Sequence, residues 1–171
     1  MSTAPRIFLV GPMGAGKSTV GRALASELAT SFFDSDAEIE ARAGADIPWI
    51  FEIEGESGFR EREHRVLAAL CEEPAAVIAT GGGTIVTEAN RLLMARSGFV
   101  VYLEATIKEQ VRRTKKDEKR PLLAGKNRQE VLTELMQIRE PLYQAAADLV
   151  LPTAGRNARE LAKKIVDALP A

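Results

Sequence analysis

Ile7-Phe-Leu-Val10-Gly11-Pro-Met-Gly14-Ala15-Gly16-Lys17-Ser18-Thr19 is a short apolar run, a glycine-rich turn and then the head of an amphipathic segment. From Gly11 to Ser18 it matches G-x-x-x-x-G-K-[ST] at every fixed position, directly after a predicted strand and before a predicted helix. The glycines let backbone curl closely around an anion, so that the amides of Gly14, Ala15, Gly16, Lys17 and Ser18 point inward at phosphate oxygens. The helix that follows adds its positive N-terminal end. In this motif Lys17 sits on the β and γ phosphates of ATP, the Ser18 hydroxyl ligates Mg²⁺ and Thr19 reaches the α phosphate. A turn that merely joined strand to helix would need neither the lysine nor the hydroxyl.

Working outward, short β-rich runs at 7–10, 31–33, 76–80, 99–103 and 148–151 alternate with segments of helical spacing at 17–29, 56–71, 88–96, 108–114, 127–147 and 158–169. Alternation of this kind predicts a parallel sheet, and continuously apolar runs such as Phe99-Val-Val-Tyr-Leu103 predict strands covered on both faces. The fold class is therefore α/β, a three-layer α/β/α P-loop domain. One domain over 1–171 is expected, with room for a minor insertion at 47–57 and a charged, Pro- and Gly-containing loop at 114–127.

The formal charge is -1, from 23 basic and 24 acidic side chains, so no overall positive field is available to hold nucleic acid or anionic lipid. The first apolar run is too short for a signal or membrane segment, and a cytoplasmic monomer is expected. Cys71, the single cysteine, reads as a small buried hydrophobe; His64 reads as a surface helix residue and Trp49 as a packed aromatic.

The acceptor side must be chosen by other residues. No guanine-reading Asn-Lys-x-Asp is present, which disfavours a GTPase and leaves kinases of nucleotides or small metabolites. Phe33-Asp34-Ser35-Asp36 ends the second predicted strand, where alternation places both aspartates on one side and at the ligand end of a parallel sheet. Asp34 then lies near the Mg²⁺ shell, and Asp36 can accept a hydrogen bond from an acceptor hydroxyl; the alternative is that Asp36 simply starts a helix at 37–43. Arg60 and Glu63 are three apart at a helix start, a spacing that can hold a guanidinium ready for a carboxylate. Gly81-Gly82-Gly83 follows the third strand, where backbone can touch a ligand. Arg120-Pro-Leu-Leu lies in the charged loop and can close over phosphates, and Arg139-Glu-Pro141-Leu-Tyr143 lies in the late helix, which Pro141 is expected to disturb.

Taken in order along essentially the full chain, these motifs resemble the shikimate kinase family, bacterial type. That resemblance implies a nucleoside-monophosphate-kinase-like fold with five parallel strands ordered 2-3-1-4-5, a substrate subdomain at 34–63 and a lid at 114–127. It also implies roles: Arg60 and Arg139 hold the shikimate carboxylate, Asp36 and Gly82 its ring hydroxyls, and Lys17 and Arg120 meet the ATP phosphates. Arg113, with Arg156 and Asn157 before the last helix, flanks adenine, although Ala158 stands where many relatives carry proline. The reaction implied is γ-phosphoryl transfer from MgATP to the 3-hydroxyl, giving 3-phosphoshikimate on the route to chorismate and the aromatic amino acids. Another small-metabolite kinase, such as a gluconate kinase, or a nucleotide-binding module without catalysis are the competing readings.

Overall fold

The computed structural model describes residues 5–115 and 127–170. Strand β1 (Ile7–Val10) leads through the glycine-rich loop into helix α1 (Lys17–Leu28), followed by β2 (Ser31–Asp34), α2 (Ser35–Ala43) and α3 (Ile47–Leu70). Then come β3 (Ala76–Ala79), a 3₁₀ turn (Thr84–Val86), α4 (Glu88–Ser97), β4 (Phe99–Glu104), α5 (Ile107–Thr114), α6 (Arg128–Ala146), β5 (Leu149–Pro152) and α7 (Ala158–Ala168). The five strands are parallel in the order β2-β3-β1-β4-β5, as expected.

Strand alternation divides the apolar side chains between two cores. Phe8 and Val10 of β1 join Ile39, Phe59 and Leu67 on one face, whereas Ile7 and Leu9 join Leu24, Leu161 and Ile165 on the other. All four β1 side chains are buried, which is why the run reads as uninterrupted apolar sequence. The arrangement brings the carboxyl ends of β1, β2 and β3 to one edge, where the glycine-rich loop, Asp34 and the glycine triplet emerge.

Residues 47–57 form the first part of α3, which starts at Ile47, with the Asp46 carboxylate accepting from the Trp49 amide at 3.0 Å and Pro48 in the first turn, then kinks at Gly55 (φ 72°, ψ 179°). Helix α6 contains Pro141 in its interior and runs on past it. Trp49 is not packed but 55% exposed, whereas its neighbour Ile50 takes the core position. His64 is half-buried, its Nδ1 2.7 Å from Asn90 Oδ1, and Cys71 is buried as expected. Among the described residues no helix is long and apolar enough to cross a membrane.

Candidate active site

Gly14 (φ 83°) and Gly16 (φ 85°) adopt left-handed backbone, which wraps the loop and sets Gly16 as the N-cap of α1. The Lys17 ammonium folds over this loop, donating to the carbonyls of Gly11 (2.7 Å) and Pro12 (2.9 Å). The Ser18 hydroxyl donates to Asp34 Oδ2 at 2.6 Å. Oδ1 of the same carboxylate accepts from the amides of Asp36 (3.0 Å) and Ala37 (3.2 Å), so Asp34 is the N-cap of α2. Asp34 and Asp36 therefore share the cleft because a helix begins between them, not because a strand alternates. That cleft, about 230 Å³, is lined by Gly14, Gly16, Lys17, Ser18, Thr19, Asp34, Asp36, Gly81, Gly82 and Arg113, among others.

Each glycine of the triplet faces a different functional side chain. A Cβ on Gly81 would lie 2.7 Å from Asp36 Oδ1, one on Gly82 would lie 3.5 Å from Arg139 Nη1, and one on Gly83 would fall inside the Arg60 guanidinium. Asp36, Arg139 and Arg60, from three helices, thus converge on one stretch of bare backbone beside the phosphate loop. Arg60 Nη1 donates to both oxygens of Glu63 (2.9 and 3.1 Å), and Thr84 Oγ1 donates to Glu63 Oε2 at 3.0 Å. Glu63 is 1% exposed and holds Arg60 from behind.

Arg139 is only 5% exposed, and among the described residues it has no salt-bridge partner. Burial, with a lesser contribution from the nearby positive charge of Arg60, holds its pKa below the usual arginine value. A desolvated guanidinium beside a second one is an environment that an incoming carboxylate relieves.

The family model for shikimate kinase matches residues 13–170. The chain belongs to the shikimate kinase family. Among curated shikimate kinases, that of Histophilus somni is 50% identical over 170 residues, covering 99% of this chain and 97% of the relative. The shikimate kinase of Alteromonas mediterranea is 52% identical over 169 residues, covering 99% of both. A solved shikimate kinase from Acinetobacter baumannii in complex with shikimate superposes with a TM-score of 0.94 at 51% identity, covering 96% of this chain and 92% of that one. The Aquifex aeolicus shikimate kinase gives 0.82 at 36% identity, covering 94% of each chain.

The other candidate residues fall differently. Arg113 lines the cleft, with Nη1 donating to the Gly14 carbonyl at 2.8 Å and Nη2 3.3 Å from Glu109. Ala15 does not line it: its side chain is buried in the core and its amide donates to the Pro12 carbonyl at 3.2 Å. Arg156 is exposed in the turn before α7 and is not among the cleft-lining residues. Asn157 is occupied as the N-cap of α7, accepting from the Glu160 amide and donating to the Glu160 carboxylate, both at 2.9 Å. Ala158 takes the first helical position, where a proline would also fit. Arg120 lies outside the described residues, as does 116–126 of the expected lid. Tyr143, for which the sequence suggests no role, donates its hydroxyl to the Gly82 carbonyl at 2.5 Å. The signal was its i, i+4 spacing from Arg139, which sets both on one face of α6.

Proposed function

We propose that this chain transfers the γ-phosphoryl group of ATP to the 3-hydroxyl of shikimate, giving 3-phosphoshikimate and ADP. The observation that carries this reading is the convergence of Arg60, Arg139 and Asp36 on the glycine triplet, next to the cleft lined by Lys17 and Ser18. Two guanidiniums grip the carboxylate of the acceptor, and Asp36 accepts a hydrogen bond from its hydroxyl and orients the oxygen toward the γ phosphorus. A bond forms between that oxygen and phosphorus as the bond to the bridging oxygen of ADP breaks, the hydroxyl proton passes to the Asp36 carboxylate and on to solvent, and Lys17 stabilises charge on the transferring group. Within this reading 34–63 is the substrate subdomain and 114–127 the lid, with Arg120 assigned to the ATP phosphates from its place in the sequence alone.

The donor set suits magnesium. Ser18 Oγ and Asp34 Oδ2 are hard oxygens 2.6 Å apart at the mouth of the phosphate loop, the kind of ligands Mg²⁺ takes alongside waters and phosphates. Ser18 and Asp34 would hold it, and the bound ion supplies neutralisation of charge on the β and γ oxygens.

An ADP-coupled assay with ATP, Mg²⁺ and either shikimate or gluconate tests the proposal. Turnover with shikimate and not with gluconate is expected. Turnover with gluconate alone would make the chain a different metabolite kinase, and none with either acid would leave only nucleotide binding.

A further inference from the structure

The hydroxyl of Tyr143 reaches one particular carbonyl of the glycine triplet. Gly81 O accepts from the Thr84 amide (3.1 Å) and Gly83 O from the Val86 amide (3.1 Å), tying the triplet to the 3₁₀ turn that follows. Gly82 O belongs to neither bond; among the described residues its hydrogen bond comes from Tyr143 at 2.5 Å. This carbonyl sits in the planar trans unit joining Gly82 to Gly83, so its direction also fixes where the Gly83 N–H points. With glycine on both sides of that unit, no Cβ restrains the two dihedrals that rotate it.

Tyr143 is itself firmly held. It is fully buried, its ring stacks on Tyr102 with centroids 4.9 Å apart, and the Tyr102 hydroxyl donates to Glu140. Being fully buried, Tyr143 acts on an acceptor only through other groups. One turn earlier on the same face, Arg139 hydrogen-bonds to the Tyr143 hydroxyl and meets the same glycine, since a Cβ on Gly82 would lie 3.5 Å from its Nη1.

We propose that Tyr143 is a positioning residue for the acceptor site: its hydroxyl locks the Gly82–Gly83 peptide in the orientation that receives the acid, so the pocket is formed before substrate arrives. This rests on the phosphoryl-transfer reading above. When a binding-competent state is populated only to a fraction f, apparent affinity falls by that fraction. A Gly-Gly peptide released to about one-tenth occupancy of the competent orientation raises the shikimate KM about tenfold, equivalent to about 1.4 kcal/mol. Once shikimate is bound the peptide is held by the complex, so kcat stays within about twofold and the ATP KM does not move.

The test is steady-state kinetics of the wild-type chain, Tyr143→Phe and Tyr102→Phe, with thermal unfolding of each. Tyr143→Phe is expected to raise the shikimate KM about tenfold and leave kcat and the ATP KM nearly unchanged. Tyr102→Phe keeps the stacked ring and is expected to lose stability only. An unchanged shikimate KM in Tyr143→Phe, or a drop in Tm with no KM shift, overturns the proposal. Should Tyr143→Phe not fold, Tyr102→Leu removes the stacking surface and is expected to raise the shikimate KM in the same direction; no rise there overturns it equally. A wild-type chain inactive toward shikimate overturns the phosphoryl-transfer reading itself.

Discussion

Arg60 and Arg139 bring the same group to adjacent glycines under different constraints. Arg60 is tied to Glu63, a buried carboxylate whose other side-chain partner is Thr84. Arg60→Ala is expected to raise the shikimate KM between about tenfold and a hundredfold and also to destabilise the fold by about 3 kcal/mol, because it strands a buried charge. Adding Glu63→Gln should restore most of that stability without restoring KM. Urea unfolding alongside kinetics checks this, and a double variant as unstable as the single one would contradict it. Lys17 differs again, since in the proposed reaction its target is charge that develops during transfer. Lys17→Met should lower kcat about 10²- to 10³-fold with the shikimate KM little changed, read from initial rates.

At the scale of elements, α3 shows what was and was not legible in the sequence. Arg60 and Glu63 were readable from their spacing. The helix before them was not, because Gly55 interrupts the pattern and Gly58 follows, so the stretch resembles a loop. The start signals Asp46 and Pro48 were present, but they precede a turn whose Trp49 and Ile53 remain exposed, which blurs the apolar periodicity. Gly55 holds φ 72° and ψ 179°, a conformation essentially restricted to glycine, so Gly55→Ala should cost about 1–3 kcal/mol in urea unfolding. Unchanged stability would show that the kink is not required. The strands were legible for the opposite reason: burial on both faces writes continuous apolar runs whose alternation with helices implies a parallel sheet. The convergence of three helices on Gly81 to Gly83 is a tertiary fact that no local pattern encodes; only the ordered family resemblance pointed to it.

For the whole molecule, the buried tyrosine beneath the acceptor site makes stability depend on alkaline pH. Burial pushes the Tyr143 phenol from 10.0 up to about 12. Below pH 10 both folded and unfolded chains keep this proton; between about 10 and 12 the unfolded chain releases it first, so stability falls as pH rises, by up to roughly 3 kcal/mol. Chemical unfolding across that range should show a shallower decline in Tyr143→Phe than in the wild-type chain, and parallel declines would contradict the assignment. On the proposed function the fold presents two separately built anion sites meeting at bare backbone, one made by a strand-loop-helix turn and the other by side chains. Arg139 separates them most cleanly, because among the described residues it has no salt-bridge partner to strand and loses only a hydrogen bond to Tyr143, so Arg139→Met should change stability by no more than about 1.5 kcal/mol. Calorimetric titration of shikimate into that folded variant is the most direct measurement: the account predicts affinity weakened about a hundredfold with ATP affinity within about twofold, and shikimate binding equal to that of the wild-type chain would contradict it.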